Sequence, residues 1–211
     1  RRSSDLMPEN YSEIIASAKS NPEIMRILRE NNIPLKINTE ELSRLKKGHL
    51  SETRVNAAKI YSFLPQEMKS EVNLQNLQRA AMLHDYGKIM IPEKILNKQG
   101  KLSPDERKIM ELHSELGYEL LKNKGIDEDV LKMVKYHHRT PDGKGYPADS
   151  QDFEYNLGSE ILAAVDKYSA LRENRSYKPA LTHKEAMNVL KEDVNSGLIS
   201  PEVYAALDSL K

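Results

Sequence analysis

Residues 73–96 read NLQNLQRAAMLHDYGKIMIPEKIL. Leu74, Leu77, Ala81 and His84 stand at i, i+3, i+7 and i+10, so an apolar helical face ends on an imidazole. Asp85 follows directly, and Lys88 lies three residues further, one turn on if the helix continues. A polar group on a core-facing stripe is costly unless something satisfies it. What satisfies His84 decides how the rest of the chain is read.

The same pattern returns elsewhere. Helices are predicted over residues 51–64, 73–84, 104–123, 127–138, 158–173, 182–193 and 201–210, and no segment alternates well enough to predict a strand. Their starts are marked by Asn21-Pro22-Glu23, by Asn38 with Glu41, Ser103 with Glu106 and Thr182 with Glu185, and by Ser200-Pro201. On 104–123, Ile109, His113, Leu116 and Leu120 share one face. On 127–138, Leu131, Val134 and His138 form a stripe beside Val130, Val134 and His137. Asp166 sits between Leu162 and Ser169 on a helix that otherwise buries Ile161, Val165 and Tyr168. One histidine on an apolar face is ordinarily a core residue bonded to a carbonyl. Four such positions on separate helices favour a shared ion, for which imidazole and carboxylate are ordinary ligands among Mn, Fe, Ni and Zn. Asp85 has two oxygens with which to bridge two ions, and Lys88 would offer a cation to a phosphate oxygen. Alone, Lys88 reads equally well as a solvated surface side chain.

Composition narrows the classes further. The 211 residues hold 32 Lys plus Arg against 32 Asp plus Glu, which gives no basis for general nucleic-acid or membrane-surface binding. Aromatics are only 6%, in keeping with helices that bury Leu, Ile, Met and Ala. The absence of Cys excludes disulfides, thiolate zinc sites and Cys nucleophiles, and is compatible with a reducing, cytoplasmic location. No apolar stretch nears the roughly 20 residues that span a bilayer. The chain opens on Arg1, read as the start of a fragment that has lost an upstream sensor or regulatory region. Residues 1–48 are expected to be a helical arm and 49–211 the main domain.

Taken together, His84-Asp85-Tyr86-Gly87-Lys88 and His137-His138-Arg139-Thr140-Pro141-Asp142-Gly143-Lys144-Gly145-Tyr146-Pro147 resemble the HDxGK and HHExxDGxGYP signatures of HD-GYP domains. These are all-α members of the HD phosphohydrolase superfamily that open cyclic di-GMP. The likeness runs in order from about residue 51 to 190, through His113, Asp166 and Arg175-Ser176-Tyr177. It implies an HD-type helical bundle with two divalent transition-metal ions, Fe or Mn first and Ni or Zn as alternatives. The ligands it implies are His84, Asp85, His113, His137, His138 and Asp166. Asp85 and Lys88 would be catalytic, with Lys88 on the scissile phosphate. Gly143, Gly145, Tyr146, Pro147 and Arg175 would meet cyclic di-GMP or a regulatory protein partner. Apart from that context, the Gly-rich run reads as an ordinary surface turn.

Four departures stand out. The resembled pattern places a His three residues before Arg54-Val55, where this chain has Ser51. His49 is nearby, but with Val55 and Ala58 facing inward it would point away unless the helix starts after Gly48. Arg139 replaces a Glu, Ser169 a second Asp, and Ser176 a Pro. Two functions from different classes therefore compete. One is a phosphodiesterase that hydrolyses cyclic di-GMP with a dimetal-activated water. The other is a degenerate module that holds nucleotide or a partner with little turnover. A phosphohydrolase acting on a mononucleotide is a third, which the GYP loop disfavours. His183, behind the Thr182 cap, is read as exposed and without a role.

Overall fold

The computed structural model describes residues 10–46, 51–148, 153–174 and 179–211. They form helices α1 (Tyr11–Ser20), α2 (Pro22–Glu30), α3 (Thr39–Lys46), α4 (Ser51–Phe63), α5 (Gln66–Ser70) and α6 (Leu74–Leu83). A 3-10 turn over Tyr86–Met90 leads to α7 (Glu93–Leu96), α8 (Pro104–Glu111), α9 (His113–Leu121) and α10 (Glu128–Tyr136). Then come α11 (Leu157–Arg172), α12 (His183–Asn195), α13 (Pro201–Leu207) and a final 3-10 turn over Asp208–Leu210. The all-helical expectation holds. No helix among the described residues is long and apolar enough to cross a membrane.

The caps act where the sequence places them. The Asn21 side chain accepts from the Glu23 and Ile24 amides, and both Ser103–Glu106 and Thr182–Glu185 close reciprocal capping boxes. Because α6 packs on α4 and α10, and α11 on α4 and α12, the apolar stripes of four helices meet around Ala57, Ile60, Leu77, Ala81, Val134 and Val165. Each of these is fully shielded from solvent. The first two helices pack on α9, where Asn21 Nδ2 donates to the Glu119 carboxylate at 2.9 Å and to its carbonyl at 3.2 Å.

Several expectations need correction. The helix over 104–123 is two helices, α8 and α9, joined at Leu112, whose amide reaches back to Ile109 in a tighter turn. There the His113 carbonyl packs on Gly87, where a Cβ would lie only 1.9 Å from it. A strand pair does exist: His138–Arg139 (β1) pairs antiparallel with Gly145–Tyr146 (β2), His138 opposite Tyr146. Two-residue strands are too short to carry an alternating signal. Val55 faces outward at 55% exposure, because α4 turns Ala57 and Ile60 onto α6 and α11. The rotation that turned His49 away from the centre assumed Val55 inside, so it does not stand. His183 is only 18% exposed, with its ring 2.8 Å from the Tyr168 hydroxyl and 3.0 Å from Asp208. It ties the start of α12 to the C-terminal turn.

Candidate metal centre

His84 and His137 cap the C-terminal ends of α6 and α10, and His113 opens α9 directly after the Leu112 cap of α8, so each stands beside the last carbonyls of a helix. Each ring uses such a carbonyl three residues back. His84 Nδ1 donates to Ala81 at 3.0 Å, His113 Nδ1 to Met110 at 2.7 Å, and His137 Nδ1 to Val134 at 2.8 Å. In a neutral ring, as burial keeps His113 and His137, donation from Nδ1 fixes the tautomer and leaves Nε2 with a bare lone pair.

Two of these nitrogens meet. Nε2 of His113 and Nε2 of His137 are 3.3 Å apart, and a His138 nitrogen joins them within 4.8 Å. Asp85 lies between two rings, with Oδ1 3.7 Å from His113 Nε2 and Oδ2 3.6 Å from His84 Nε2. Asp166, from the middle of α11, reaches to 3.9 Å of His84 Nε2. The six side chains proposed from sequence as ligands thus gather from five elements into one cluster. The three rings after helix ends are at most 2% exposed and Asp85 7%, whereas the Asp166 side chain is 37% exposed and forms the open wall.

Charge follows burial. Burial, with Lys88 next, pushes His113 down to about 3, and burial with His113 does the same to His138. His137 is driven well below its usual range by burial and by His138. Burial raises Asp85, but Lys88, whose Nζ is 2.7 Å away, and the neighbouring imidazoles hold it well below the carboxylate range. His113, His137 and His138 are thereby neutral beside ionised carboxylates, the state a divalent metal requires. His84, which burial lowers but Asp85 and Asp166 raise, would give up a proton on binding metal. Two acceptor lone pairs facing each other at 3.3 Å in a dry site repel unless a cation lies between them. On these grounds the donor set, nitrogen and carboxylate oxygen with no sulfur, fits a divalent transition metal.

A polar cavity of about 270 Å³ opens onto Asp85, Lys88 and Asp166. Arg44 of α3 lines it too, clamped by the buried Glu41 through Nε at 2.8 Å and Nη2 at 2.6 Å. Sequence reasoning missed Arg44, since no spacing ties it to the cluster. In the loop, Gly145 has φ +87° and sits where a Cβ would lie 2.0 Å from the His138 carbonyl, so only glycine fits there. The turn thereby lays Tyr146 on His138, with ring centres 4.5 Å apart. Pro147 is buried behind it, while Gly143, at φ +77°, meets open space. His49 and Arg175 lie outside the described residues, as does the Ser51 side chain, whose backbone begins α4.

A family model described as "HD domain" matches residues 38–203. The cyclic di-GMP phosphodiesterase of Thermotoga maritima is 37% identical over 144 residues, 67% of this chain and 39% of that protein. RpfG of Xanthomonas campestris pv. campestris, a cyclic di-GMP phosphodiesterase response regulator, is 40% identical over 124 residues, 57% of this chain and 32% of its own length. The 3'3'-cGAMP-specific phosphodiesterase 1 of Vibrio cholerae is 31% identical over 148 residues, 70% and 34% of the two chains. This chain therefore spans roughly a third of the length of the curated relatives it matches. Among solved structures, Bd1817, an HDG"Y"P protein from Bdellovibrio bacteriovorus, superposes with a TM-score of 0.57 at 19% identity, over 76% of this chain and 52% of its own. The PgpH HD domain of L. monocytogenes, in complex with cyclic-di-AMP, gives 0.52 at 19% identity, over 77% and 86%. At that identity the likeness is one of fold.

Proposed function

The chain belongs to the HD domain family, and we propose that it is a metal-dependent phosphodiesterase that hydrolyses cyclic di-GMP. One observation carries this reading: ligand nitrogens of His113, His137 and His138 lie within 4.8 Å of one another, and Asp85 reaches from His113 on one side to His84 on the other, whose Nε2 also faces Asp166. The curated names of the relatives supply the substrate class.

In this account His84, Asp85, His113, His137, His138 and Asp166 hold two divalent ions, Fe or Mn before Ni or Zn. When bound, the ions would activate a water and stabilise charge during in-line displacement at phosphorus. Asp85 accepts from Lys88 and keeps that ammonium at the edge of the polar cavity, where it would meet an oxygen of the scissile phosphate. Tyr146, stacked on His138, covers one face of that ring. Arg175, Gly143, Gly145 and Pro147 remain proposed contacts to substrate or to a regulatory partner, and the cytoplasm the proposed location.

Purified, metal-loaded protein should linearise cyclic di-GMP, and Asp85→Ala should abolish this while the helical circular-dichroism signal persists. Cleavage at the wild-type rate by the Asp85→Ala protein would sink the mechanism. Tight nucleotide binding with no cleavage at full metal occupancy would instead identify the low-turnover module that Ser51 suggests.

A further inference from the structure

A second cavity, of about 360 Å³, also reaches Asp166 and shares Ala170 with the polar one. Its character is different. His137 and His138 lead into it, Phe153 and Ile199 give apolar walls, and Arg139 and Ser159 stand among them. Small-molecule sites of roughly 300–1,000 Å³ are built this way, apolar with a few polar groups that fix orientation.

Two of those polar groups are incompletely satisfied. Arg139 Nε and Ser159 Oγ are buried atoms without a hydrogen bond, and Ser159 is only 3% exposed. The Arg139 guanidinium lies 4.6 Å over the Phe153 ring, and its Nη1 makes one long bond, 3.3 Å, to the Ala148 carbonyl. A buried donor left unsatisfied is destabilising. A flat cation on an aromatic face with a spare donor suits a planar, acceptor-rich ligand.

We propose that this cavity receives a purine base of the cyclic dinucleotide, and that Arg139 selects guanine over adenine. Arg139 can only donate. The guanine edge presents N7 and O6 as acceptors, whereas adenine puts a donating amino group where O6 would be. Ser159 Oγ can donate or accept a hydrogen bond and so fixes position without discriminating. A base held there lies beside His137, His138 and Asp166, which leaves its phosphate at the cluster. This placement deepens the phosphodiesterase reading and rests on it for the identity of the ligand.

Isothermal titration of the Mn²⁺-supplied protein with GMP and with AMP tests the base pocket without scoring cleavage. A protein that cleaves no cyclic dinucleotide can therefore still support the pocket, and the two readings fail separately. GMP should bind about tenfold more tightly than AMP, and Arg139→Met should bring the two within about twofold. Ala163→Leu, which narrows the cavity, should weaken GMP by about tenfold. Should Arg139→Met fail to fold, Arg139→Lys removes the fork while keeping the charge. Equal binding of GMP and AMP to the wild type, no binding of either, or a guanine preference that survives loss of Arg139 would overturn the proposal.

Discussion

Nε2 of His113 lies 3.3 Å from Nε2 of His137, and both rings already donate from Nδ1 to backbone carbonyls. Neither nitrogen of the close pair therefore carries a hydrogen for the other. A cation between them turns a repulsive contact into two bonds.

Metal removal should therefore cost stability. A ligand at 100 to 1,000 times its Kd adds about 2.7–4.1 kcal/mol, which for a domain of this size is about 5–15 °C. Differential scanning fluorimetry with and without a chelator measures this directly. A midpoint that ignores the chelator contradicts the account.

The metal-free protein should be unusually acid-sensitive. His113, His137 and His138 are held below their ordinary value of 6.5, so the unfolded chain takes up protons there while the folded one does not. Stability is then intact above about pH 6.5 and is lost progressively as pH falls toward about 3. Each such histidine contributes a slope of about 1.4 kcal/mol per pH unit. His84 works the other way, since burial lowers it but Asp85 and Asp166 outweigh burial and raise it. Urea unfolding between pH 7 and 4, with His138→Phe for comparison, should show a shallower slope in the variant. Equal slopes would remove these histidines as the cause.

The two loop glycines should behave differently. Both have positive φ, but a Cβ at Gly145 collides with the His138 carbonyl and one at Gly143 meets open space. Gly143→Ala should cost about 1 kcal/mol and leave the cluster in place. Gly145→Ala should cost about 1–3 kcal/mol, shift Tyr146 off His138 and lower phosphodiesterase activity at least about tenfold. Equal effects from the two variants would show that the hairpin does not position His138.

Gly87→Ala probes the other wall. A Cβ there would sit 1.9 Å from the His113 carbonyl and 2.5 Å from the Gly117 amide nitrogen, so α9 must move away from the turn that carries Asp85. The expected cost is about 3 kcal/mol or more, with weaker metal binding. Metal titration of the variant at wild-type affinity would contradict this.

Much of this arrangement is legible in the sequence, and the remainder has identifiable reasons. His84, His113, His137 and Asp166 announce themselves as polar residues on apolar stripes, and the caps at Asn21, Ser103 and Thr182 mark real helix starts. What orients the rings is invisible there, because it depends on backbone carbonyls at helix ends. The outward turn of Val55 escapes a periodicity argument because Ala57 and Ile60, a few positions on, face the neighbouring helices instead. Arg44 escapes as well. It reaches the cavity from α3 through a tertiary contact with no motif attached, held by Glu41 one turn earlier.

The most direct measurement is elemental analysis of the purified protein, paired with a cyclic di-GMP cleavage assay before and after chelation. Two divalent transition-metal ions per chain, with cleavage that is lost on chelation and restored by Mn²⁺, are expected. Cleavage at an undiminished rate in metal-free protein would contradict the account.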